Sequence, residues 1–64
     1  MTYQEIIEAI KEGKKVHWGN ASYWVIIDTK GQVMISYLDR NWVGLSEEVF
    51  NKSYDPKDFY LSPF

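Results

Sequence analysis

Apolar residues fall at Tyr3, Ile6, Ile7 and Ile10, the i, i+3, i+4, i+7 spacing that lines one face of a helix. Thr2 and Glu5 flank the start of that stripe in the spacing of a capping box, and Gly13 supplies a left-handed stop. The pattern therefore predicts an amphipathic helix over residues 3 to 12. A helix this short does not persist alone in water and must dock. From Val16 onward the period changes to alternation. Val16 to Trp18 and Ser22 to Asp28 are rich in β-branched and aromatic residues, and Gly19-Asn20 between them suits a two-residue type II′ hairpin. That turn pairs Val16 with Tyr23 and His17 with Ser22. Val16, Trp18, Tyr23, Val25 and Ile27 then share one face, and Lys15, His17, Ser22, Trp24, Ile26 and Asp28 the other.

Asp28-Thr29-Lys30-Gly31 carries Asp and Gly at the ends of a type I turn. A three-residue loop here pairs Ile27 with Val33, Val25 with Ile35 and Tyr23 with Tyr37. A two-residue loop would put Val33, Ile35 and Tyr37 on the mixed face instead. A one-residue slip flips every side chain, and the first register is preferred because it makes one face uniformly apolar. Asp39-Arg40-Asn41 reads as the next turn and Trp42 to Leu45 as a fourth strand, with Val43 and Leu45 on the apolar face and Trp42 and Gly44 opposite. Ser46-Glu47-Glu48 can start a helical turn, Asn51 to Pro56 reads as loop, and Phe59 to Leu61 as a last strand bracketed by Pro56 and Pro63. The expectation is a single α+β domain over residues 1–64, with one N-terminal helix packed on a four- to five-stranded antiparallel β-meander.

The face away from the helix then shows Trp24, Ile26, Met34, Leu38 and Trp42 among His17, Ser22, Gln32 and Ser36. A contiguous apolar patch on so small a chain marks an interaction site, unless Phe59, Tyr60 and Phe64 fold back over it. With 64 residues and no cysteine, there is no disulfide framework and no Cys-based zinc site, and a lone core is marginal. Aromatic packing and self-association are the remaining remedies, so a homo-oligomer, dimer or tetramer, is expected through Trp24, Ile26, Met34 and Trp42. No apolar run approaches membrane-spanning length and the start lacks a signal-peptide pattern, which points to a cytoplasmic location without membrane contact. The net charge of −2 argues against double-stranded DNA or any general nucleic-acid partner.

Catalytic chemistry has little to stand on. One His, no Cys and no Gly-rich phosphate loop point to a non-enzyme without cofactor or metal. Ligand binding is better supplied. Trp18, Tyr23, Trp24 and Trp42 offer flat faces for base stacking, and Asn20 can read a base edge. Lys15 and Arg40 can meet phosphate, as can Lys14, while His17 and Ser22 add polar contacts. A plainer reading makes Trp18 and Tyr23 core residues and Asn20 a turn residue, leaving His17 and Trp24 as the better candidates.

The order of a short N-terminal helix, Gly13, Lys15-Val16-His17-Trp18, Asn20, Tyr23 and Val25 resembles a widespread set of small phage and prophage proteins. Asp28, Gly31, Ile35, Gly44-Leu45 and Asp58-Phe59-Tyr60 continue the likeness over most of the chain. Trp24 departs from it, standing where a charged residue is expected, and Asn51 to Asp55 is irregular, so ligand preference does not carry over. Compact phage proteins of this size resemble viral sponges that sequester immune nucleotide signals such as the cyclic dinucleotides of CBASS defence, a likeness of general architecture only. The resemblance implies a phage-encoded immune-evasion protein in the host cytoplasm, binding such a signal uncleaved at a subunit interface. The alternatives are an inhibitor that plugs a host enzyme and a single-stranded nucleic-acid binder.

Overall fold

The computed structural model describes residues 1–37 and 41–63. Helix α1, Tyr3–Lys11, forms where the apolar stripe places it. Thr2 accepts from the Glu5 amide at 3.2 Å while Glu5 accepts from the Thr2 amide at 2.8 Å, closing the capping box. These bonds from Thr2 hold the Glu5 carboxyl below its ordinary range. At the other end Gly13 has φ 85°, its amide reaches Ile10 O and the Lys14 amide reaches Ala9 O, each at 3.0 Å. That is a Schellman stop, and a side chain at Gly13 would strain it.

Strands β1 (Val16–Trp18), β2 (Asn20–Ile27), β3 (Val33–Tyr37) and β4 (Asn41–Gly44) run as an antiparallel meander. Strand β5, Phe59–Leu61, returns to pair with β1, so the five-stranded order is β4-β3-β2-β1-β5. The β2–β3 register is the one that keeps a face apolar, with Ile27 opposite Val33 and Val25 opposite Ile35. Its loop closes through Asp28, whose carboxylate accepts from the Lys30 and Gln32 amides at 2.9 and 2.8 Å, with Gly31 at φ 85°. In β4, Val43 stands opposite Ile35 and Trp42 opposite Ser36. Of the predicted turn at Asp39-Arg40-Asn41, Asn41 already belongs to β4, and the rest lies outside the described residues.

The first hairpin differs from expectation. His17 pairs with Trp24 rather than Ser22, and Trp18 with Asn20, so the register shifts between His17 and Trp18. The turn chemistry explains it. Asn20 Oδ1 accepts from the Ser22 amide at 2.8 Å, and the Gly19 amide leaves the hairpin for Asp58 O at 3.0 Å. The backbone there is tied to its own side chain and to the segment before β5, and a tight II′ turn does not form.

A second helix, α2 (Glu47–Ser53), replaces the expected loop over Asn51 to Ser53; Tyr54 and Asp55 are irregular as expected, and a 3₁₀ turn begins at Pro56 and runs to Asp58. Ser46 caps α2 by accepting from the Val49 amide at 3.2 Å. Asn51, Lys52 and Ser53 are no strong helix signal. What carries them is Phe50, buried with its ring 5.5 Å from Tyr3 and 5.3 Å from Phe59.

Ile6, Ala9, Val16, Val25, Val33, Ile35, Leu45, Phe50 and Phe59 form the core between the sheet and the two helices. Tyr3 spans it, donating its hydroxyl to Leu45 O at 2.8 Å. Burial, then the nearby Glu47 carboxylate, raises the Tyr3 phenol above its ordinary value of 10.0. The unfolded chain therefore ionises Tyr3 first, and this part of the stability is full below about pH 10 and lost as pH rises through the folded value. Tyr3→Phe is expected to cost about 1 kcal/mol at neutral pH for the missing hydrogen bond. That gap should close as pH climbs past 10, and urea titrations of both proteins at a series of alkaline pH values measure it. A gap that widens instead would contradict the assignment.

Candidate functional site at the open sheet face

Among the described residues, both helices pack on one side of the sheet. Reading across the strands on the other side, register places Tyr60 beside His17, His17 beside Trp24, Trp24 beside Ser36 and Ser36 beside Trp42. Ile26 and Met34 form the next pair, ending at Gly44. Trp24 is 39% exposed and Trp42 56%, whereas His17 between its aromatic neighbours keeps only 6%. The Tyr60 ring lies 5.4 Å from the imidazole.

His17 Nδ1 stands 3.0 Å from the carbonyl oxygen of Tyr23. A carbonyl only accepts, so Nδ1 carries the proton, and in the neutral ring Nε2 keeps its lone pair. The bond also ties the irregular hairpin to β1, giving His17 a structural task whatever else it does.

At the β5 margin the face deepens into an open recess of about 750 Å³. Lys14, Lys15, His17, Trp24, Leu61 and Ser62 line it. Lys14 is 3.2 Å from Glu12 in an exposed ion pair, a contact of little energetic weight that leaves the ammonium available to an anion. The recess thus sets two cations, an imidazole and a large aromatic plane around one concave space. Among the described residues, no group of three or more His, Asp or Glu is placed to hold a metal ion.

Of the residues singled out in the sequence, Lys15, His17 and Trp24 meet at this recess. Trp42 shares the face but stands on β4, beyond β3. Trp18 and Tyr23 lie on the helix side, half-buried with rings 5.5 Å apart, Trp18 edge-on to Tyr54 and Tyr23 edge-on to Tyr37. Ser22 is exposed and Asn20 is engaged in the turn. Arg40 and Leu38 lie outside the described residues. Leu61 and Ser62 are not expected at the site from the sequence, and Tyr60 is expected there only as part of a tail folded back over the face. Alternation within Phe59-Tyr60-Leu61 would have put Tyr60 opposite Phe59, but nothing local announces that β1 is the partner.

Among the described residues, the C-terminal segment leaves Trp24 and Trp42 exposed on the open face. Phe59 is buried in the core, Tyr60 stands at the margin, and Phe64 lies outside the described residues. No helix among the described residues is long and apolar enough to cross a membrane. No family model matches the chain, and no curated protein or solved structure matches it either.

Proposed function

We propose that the protein binds a nucleotide signal, a cyclic dinucleotide or a related molecule, and sequesters it without cleavage. The observation that carries this reading is the recess of about 750 Å³ bounded by Lys14, Lys15, His17 and Trp24. Its volume is in the range of small-molecule sites. The indole of Trp24 supplies a stacking plane for a base, and the two lysines supply charge for phosphate. Among the described residues, the side chains that line the recess offer cations, an imidazole and an aromatic plane, and the Glu12 carboxylate meets it only through Lys14, an arrangement suited to holding an anionic ligand. In this role the chain is a phage-encoded immune-evasion protein acting in the cytoplasm of an infected bacterium, in keeping with the sequence pattern around Lys15-Val16-His17-Trp18. It works as a homo-oligomer, a dimer or tetramer, that buries part of the face carrying Trp24, Ile26, Met34 and Trp42.

A second reading rests on the exposure of Trp24 and Trp42 on one face: an inhibitor that covers a host enzyme with these two aromatics. One experiment separates the two. The protein is incubated with cyclic dinucleotides and with linear nucleotides, washed, heated, and the released material chromatographed. Recovery of intact nucleotide is the expected result. Recovery of a cleaved product makes the protein an enzyme, and failure to retain any nucleotide overturns the proposal in favour of a protein target.

A further inference from the structure

The two edges of the sheet are finished differently. Strand β5 is three residues long, preceded by a 3₁₀ turn and followed by Pro63, which limits what can add to it. Strand β4, Asn-Trp-Val-Gly, has neither proline nor charge, and all its residues are exposed. Which of its amides face outward follows from one bond. The Leu45 amide donates to Val33 O at 2.8 Å, which makes Val33 and Leu45 a hydrogen-bonded pair. Such pairs alternate along an antiparallel ladder, so Val43 and Asn41 turn their polar groups toward β3. Trp42 and Gly44 turn theirs away from the sheet, where no further strand lies among the described residues.

We propose that this edge pairs with β4 of a second copy, antiparallel about a two-fold axis through Val43, to make a continuous sheet across the dimer. The side chains fit that register. Trp42 comes opposite Gly44 of the second copy, and the reverse, closing two hydrogen-bonded pairs on the outward amides. An aromatic ring then lies over a glycine on the open face, a pairing that shields an otherwise bare stretch of backbone. On the helix side Val43 meets its own copy in a non-hydrogen-bonded pair, where side chains approach most closely. Val43, 42% exposed in the single chain, and Trp42, 56%, are both covered. A Cβ built on Gly44 meets nothing within 4 Å, so within one chain the site has room for a side chain. The glycine matters only once a second Trp42 must lie over it. The recesses stay open at the far edges of such a dimer, and burial of the shared face would join two dimers into a tetramer.

The test is independent of any nucleotide. Sedimentation of the parent over a micromolar concentration series should give a mass near twice 7.6 kDa. Val43→Lys sets like charges against each other across the axis, and Gly44→Val fills the place of the incoming indole. Each should weaken dimerisation roughly 10-fold or more without loss of circular dichroism. Hydrogen exchange gives a second readout. The Trp42 and Gly44 amides should be protected in the parent and exchange freely in Val43→Lys, while the Leu45 amide stays protected in both. A parent that is monomeric throughout, or variants that dimerise as the parent does, overturns the proposal.

Discussion

Phe59→Ala should be the most damaging single truncation outside the sheet's central strands, costing about 3–5 kcal/mol. Phe59 is 3% exposed, and its ring touches Phe50 at 5.3 Å and Tyr54 at 6.0 Å. It is the joint through which α2, the 3₁₀ turn and β5 are attached to the core. A chain of 64 residues holds only about 3–10 kcal/mol of stability in total. The loss therefore removes a large fraction of the total stability. Detachment of β5 also removes Leu61 and Ser62 from the recess, so ligand retention should fall with the fold. Urea titration followed by circular dichroism measures the first effect. Leu61→Ala, at a position 45% exposed on the same strand, is the control and should stay within about 0.5 kcal/mol of the parent. A cost for Phe59→Ala as small as that of Leu61→Ala would show that β5 is not anchored through the core.

Trp24→Glu should leave the fold nearly unchanged and remove most of the binding. Trp24 is partly exposed on a strand whose other face supplies the core, so the backbone does not depend on the indole. Stacking of one base on an aromatic side chain is worth about 1–3 kcal/mol, and the new carboxylate also repels phosphate. Affinity for a retained nucleotide should drop about 10-fold or more, whereas Trp24→Phe should keep most of it. The same substitution reports on assembly. Glu is harmless in water but expensive in an apolar interface, so burial of Trp24 between subunits would appear as a lower mass in light scattering. Lost affinity at unchanged mass assigns Trp24 to the recess, and lost mass assigns it to a subunit contact. If neither changes, Trp24 has no part in either.

Much of the architecture lay in local signals. The Thr2–Glu5 box, Gly13 and the Asp28–Gly31 turn are each satisfied within a few residues, so their geometry does not wait for the rest of the chain. Alternation placed His17 and Trp24 on the face opposite the helix even though the hairpin itself was misread. The observed partner of His17 is Trp24 instead of Ser22, a slip of two residues, and an even slip at that pair leaves His17 and Trp24 on the face where alternation puts them. What local pattern could not supply was everything that depends on distant partners. Helix α2 continues through Asn51–Ser53 because Phe50 is buried against Tyr3 and Phe59, an energy invisible in propensities. Strand β5 lies beside β1, with Tyr60 opposite His17, only because closing that long loop is rewarded by Phe59 entering the core. The recess exists for the same reason. Lys15, His17 and Trp24 could be named from the sequence as candidates, but the wall that makes them a concave site, Leu61 and Ser62, arrives with the last strand.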